Sequence, residues 1–175
     1  MGTDTDEVEL SKQDLREVTA FAAACAETAL EIFEAAQPDD TRPRNAIAVA
    51  WAFARGGERG KALRDAAWAA QKAANSTDSD AAREAGRAAM AAAGAAYLHP
   101  LAKATQVKHI LGSAAHAARA SELAAGDPTV GVQHIQQAAD RVSPAVIAVL
   151  KRFPAAPGGG GRVGELVRLL DNALR

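Results

Sequence analysis

A chain of 175 residues is long enough for one domain with a substantial core. A net charge of −1 and a pI near 6.4 exclude the basic excess of a general nucleic-acid binder. One cysteine excludes an internal disulfide and any CxxC metal or redox motif.

The acidic start, MGTDTDEVEL, has neither the basic nor the apolar region of a signal peptide and no apolar period. Residues 1–10 are therefore expected to be a disordered N-terminus on a cytoplasmic protein. Roughly a quarter of the chain is alanine and only 4% is aromatic, while β-branched residues are scattered rather than alternating. Alanine has the highest helix propensity, so the class is all-α: a single compact bundle of about seven or eight helices over 11–153 and a last helix beyond. The alanine runs are broken by charged residues before reaching the ~18 apolar residues of a membrane span.

In chain order, Ser11 and Asp14 form a capping-box pair with an acid at the third position. Leu15, Val18, Ala22, Cys25, Ala29, Ile32 and Ala36 then step by threes and fours, which predicts one amphipathic helix over 15–36. Cys25 lies in that seam and reads as a small buried apolar residue. Helices are predicted over 44–54, ended by Gly56 and Gly57, and over 59–74. Between them, GGERGKA is no phosphate-binding loop: it is one residue short, Ala62 stands where Ser or Thr would bind magnesium, and no strand precedes it. After a polar turn at 75–80 a helix is predicted over 81–98, and His99-Pro100 breaks it.

The most informative stretch follows. A predicted helix over 101–125 places Thr105, His109, Gly112, His116 and Ala120 on one seam, with Ser113 beside it. Small residues there admit a close neighbour, and the imidazoles then lie at a crowded junction or line a small cavity. Short helices are predicted over 132–139 and 144–152, the second with Ser143 as cap and Pro144 in its first turn. PAAPGGGG marks a flexible linker over 154–162, followed by an amphipathic helix over 163–175 that docks on the bundle or exchanges onto a second copy.

Four segments carry a family likeness: TRPRNAIAVAWAFARGG, KALRDAAWAAQKAA, AAREAGRAAMAAAGAA and ATQVKHILGSAAHAARA. In order and spacing, the run from Asp14 to Leu123 resembles the immunity-five-like proteins of bacterial polymorphic-toxin systems, and AYLHPLA, QVKHILG and the glycine-rich tail resemble its stand-alone actinobacterial members. That group usually has an HxxxH spacing in the last segment; here Thr105 stands at its first position, and His116 replaces a later tyrosine. The resemblance implies an immunity or self-resistance protein that binds and neutralises a toxin polypeptide or a toxic small molecule without turnover.

His109 and His116 are two helical turns apart, about 10.5 Å of rise, too far to share one zinc ion, so no metal and no cofactor are expected. A half-buried histidine on an apolar seam can still act as general acid or base, oriented by a carboxylate such as Asp65. The enzyme alternative is therefore a small cofactor-free catalyst of a bacterial secondary-metabolite pathway, with His109 as acid or base aided by His116 or Tyr97. A dimerising helical scaffold is the third reading. The bulky anchors of the alanine core are expected to be Trp51, Trp68, Tyr97 and three phenylalanines. A ligand pocket, if present, is expected among Trp51, Asp65, Trp68, Tyr97, His99, His109, Ser113 and His116.

Overall fold

The computed structural model describes residues 6–175. Among them are nine α-helices: α1 Lys12–Glu27, α2 Leu30–Ala36, α3 Arg42–Ala54, α4 Lys61–Asn75, α5 Asp80–Gly94, α6 Val107–Ala125, α7 Pro128–Arg141, α8 Pro144–Leu150 and α9 Gly161–Leu174. No helix among the described residues is long and apolar enough to cross a membrane. The all-α expectation holds. Nine helices stand where eight ranges are predicted, because the first predicted one is two. Thr28 Oγ1 donates to the Cys25 carbonyl at 2.7 Å, and the Thr28 and Ala29 amides turn back to carbonyls three residues earlier, which tightens and breaks the helix.

The capping box at Ser11 forms in both directions: Asp14 N donates to Ser11 Oγ at 3.0 Å and Ser11 N to Asp14 Oδ2 at 2.9 Å. Residues 1–5 lie outside the described ones, and residues 6–8 differ from the expected disorder. Val8 is buried and its amide donates to the Pro100 carbonyl, while Ala102 N donates to Asp6 O. That pairing holds Leu101 and Ala102 extended, so the helix predicted from 101 starts only at Val107, after a 3-10 turn at Ala104–Gln106.

α5 and α6 form the centre, with α4, α1 and α3 on one side and α7 and α9 on the other. Most of what they bury is alanine, so the helices lie close together and the side-chain volume comes from Phe33, Phe53, Ile110, Leu111, Leu150 and Leu166. Two expected anchors behave otherwise. Trp68 is 67% exposed, because α4 turns its alanines and Leu63 inward, and Trp51 is half-buried at the rim. Cys25 is buried, and burial raises its thiol to about 11 against a smaller opposing pull from Arg141.

The glycine-rich segment is tied down. Arg168 Nη1 donates to the carbonyls of Pro157 and Gly159, at 3.1 and 2.7 Å, and Ala156 N donates to Asp171 Oδ2 at 2.9 Å. Gly159, Gly160 and Gly161 have φ of +82°, +78° and +60°, three successive left-handed residues that only glycine adopts without strain. Arg175 closes the arm by binding Asp171 and the carbonyls of Phe153 and Pro154. α9 packs on α6 and α7 of its own chain. There the guanidinium of Arg162 grips both oxygens of the buried Glu122, each at 2.9 Å, and Glu122 also takes Arg119 at 2.8 Å.

Candidate functional site: a cavity on the α6 seam

His109, Gly112 and His116 lie on the side of α6 that faces the C-terminal arm, and together with Thr105, in the 3-10 turn before the helix, they line one cavity of about 510 Å³. Met90, Ala91 and Gly94 of α5 form one wall. Residues 157–160 and the first two turns of α9, through Val163, Gly164 and Val167, form the roof. Its lining is mostly apolar, and a few nitrogen groups converge on it, the usual make-up of a small-molecule site.

His116 is oriented from behind. Its Nδ1 lies 2.6 Å from Glu84 Oε2, and the other Glu84 oxygen accepts from Arg87 at 2.7 Å. Burial by itself would raise the Glu84 pKa, but the contacts to His116 and Arg87 outweigh it and hold the carboxyl below its usual range. With Nδ1 engaged, Nε2 is the ring nitrogen left for a guest. His109 makes no hydrogen bond to the described residues. Burial, followed by the nearby charges of Lys108 and His99, lowers its pKa and favours the neutral ring.

Two glycines shape the space. Gly94 and Gly112 both have right-handed helical backbone, so no turn requires them. A Cβ at Gly94 would meet nothing within 4 Å, and one at Gly112 only Lys108 Cβ at 4.0 Å. Gly86, two turns before Gly94, is of another kind: its Cβ would fall 2.9 Å from Ala74 Cβ, so α4 and α5 touch there only because it has none. Glycine inside a helix costs roughly 0.5–1 kcal/mol relative to alanine. At Gly86 close packing accounts for that cost. At Gly94 and Gly112 packing does not.

The remaining residues expected at the site lie elsewhere. Ser113 faces the sealed side of α6, with Oγ 2.7 Å from the Ala22 carbonyl and 3.1 Å from that of Ala88, so it staples α1, α5 and α6 together. Trp51 Nε1 donates to Glu27 at 2.5 Å under the guanidinium of Arg55. Asp65 is on the surface paired with Lys61, so the carboxylate that orients a histidine is Glu84 instead. Tyr97 donates its hydroxyl to Gly60 O and lies beneath Arg59 and Arg64. His99 is exposed, and its amide donates to Gln106 Oε1. Sequence reasoning missed Glu84, Lys108, Met90 and the glycine roof. The only available signal was the position of Glu84 three residues before Arg87.

The family described as "Imm-5 like putative immunity protein" matches residues 8–144, and the chain belongs to it. No curated protein matches the chain, and no solved structure does. The matched region includes α1 to α7 and every α5 and α6 residue of the cavity; the roof lies beyond it.

Proposed function

We propose that this member of the Imm-5 like immunity family acts in the cytoplasm as an immunity or self-resistance factor, holding a toxin, polypeptide or small molecule, without turning it over. The observation that carries this reading is the cavity on the α6 seam, whose floor belongs to the family-matched region. The mechanism is occlusion. A harmful group entering between α5, α6 and the arm would exchange water for Met90, Val163 and Val167, worth about 25 cal/mol per Å² of apolar surface removed from water. Its polar atoms would meet His109 and Nε2 of His116. Neutralising by retention needs tight binding of the ground state only, so no group has to favour a transition state.

One observation favours a second reading, the cofactor-free enzyme. A histidine held by a buried carboxylate, with its other nitrogen turned to a cavity, is arranged as a general base. In this structure that role falls to His116 with Glu84 behind it, rather than to His109.

Native mass spectrometry of the protein incubated with extract of its host separates the readings. A small molecule or polypeptide retained at unchanged mass over hours is the expected result. Release of a chemically altered molecule, abolished by His116→Gln at unchanged melting temperature, would replace the immunity reading with the enzyme. A bare chain, or a bare dimer, would overturn both in favour of the scaffold.

A further inference from the structure

Gly94 and Gly112 are the starting point. In a chain whose helices use alanine for most of their small residues, these two positions carry none, and the volume their methyl groups would occupy belongs to the cavity. Helical glycine without a packing partner is retained at a loss of helix stability. The space it leaves is then the feature being preserved.

The lining has a direction. Lys108 and His109 sit in the first turn of α6, with Thr105 in the 3-10 turn just before it. No carboxylate among the described residues lines the cavity. Glu84, the acid next to it, is taken up by His116 and Arg87. The remaining side chains of the lining are apolar, chiefly Met90, Ala91, Val163 and Val167. A bare anion would leave those apolar walls against water, and a neutral hydrocarbon would leave the cationic end unpaired.

We propose that the α6 cavity binds an elongated apolar molecule bearing one anionic group, with the anion at the Lys108–His109 end and the apolar body lying along Gly112 toward His116. This rests on the holding function proposed above and names the chemistry of what is held.

Isothermal titration of the full chain with decanoate, decan-1-ol and decyltrimethylammonium tests it. Decanoate is expected to saturate at one molecule per chain and to bind at least tenfold more tightly than either of the others. Gly112→Leu, which fills the space from its floor, should weaken decanoate at least tenfold with the melting temperature preserved. Gly112→Ala adds only a methyl group and keeps the test valid if the leucine variant misfolds; it should weaken decanoate severalfold. Lys108→Gln should weaken decanoate and leave decanol unchanged. Failure of decanoate to saturate, equal binding of decanol, or wild-type affinity in both folded Gly112 variants would overturn the proposal. Retention of a toxin equally by wild type and Gly112→Leu in the native mass experiment would overturn this site while leaving the immunity reading intact.

Discussion

Gly112 and Ser113 are neighbours in sequence and face two different regions of the molecule. On the Ser113 side, α6 meets α1 and α5 with the hydroxyl proton of Ser113 shared between two helix carbonyls, and Ile110 and Ala117, about one turn away on the same face, are buried. On the Gly112 side the same helix faces an opening roofed by glycine backbone. Small residues line both faces, yet one is sealed and the other hollow. The difference lies in what comes across: alanine-rich helices close on α6, whereas the arm spans it on a loop and one helix. Small side chains allow close approach without producing it.

That contrast can be broken from the sealed side first. Ile110→Ala removes a fully buried side chain and should cost about 2–5 kcal/mol, read by urea unfolding. Gly86→Ala drives a methyl group against Ala74 and should cost about 1–3 kcal/mol as α4 and α5 part, despite the gain in helix propensity. Alanine at Gly112 should be neutral or stabilising in the same measurement, which sharpens the distinction between the two kinds of glycine. Ser113→Ala should cost about 0.5–1.5 kcal/mol, because both carbonyls it serves lie within helices and keep other partners.

The smallest effect is in pH. His109 is held neutral by burial and by the charges of Lys108 and His99, and His134 by burial and Arg141, so both have folded pKa values below 6.5. Their contribution is present above 6.5 and is lost as pH falls from there toward the folded values, since the unfolded chain takes up protons that the folded one resists. His109→Gln should flatten that part of the profile. A separate loss should follow as pH falls below about 4.5, where the unfolded chain takes up a proton at Glu84 that the folded one resists through His116 and Arg87, and Glu84→Gln should diminish it.

The hollow side of α6 was legible because its pattern is mixed: His109, Gly112 and His116 stand out at helical spacing among alanines. The face of α5 was not. With alanine around most of that helix, periodicity cannot distinguish its inner side, and nothing in the pattern marks Glu84 as buried. Trp68 misleads through size, since helices that meet through alanine leave an indole no room between them. Composition also misreads the glycine run as slack, when three left-handed residues and the contacts of Arg168 and Asp171 fix it. The break at Thr28 depends on one hydroxyl competing with the helix, which no apolar period records.

Cys25 gives the molecule a practical property. At 1% exposure, and with a thiol that ionises only near 11, it offers almost no thiolate to a maleimide at neutral pH. The native chain therefore serves as its own unlabelled background. A cysteine placed at the exposed Leu169 on α9 would take a fluorophore alone, and with Trp51→Phe the exposed Trp68 on α4 becomes the single indole emitter. Changes in energy transfer between them would follow the arm over the cavity in real time.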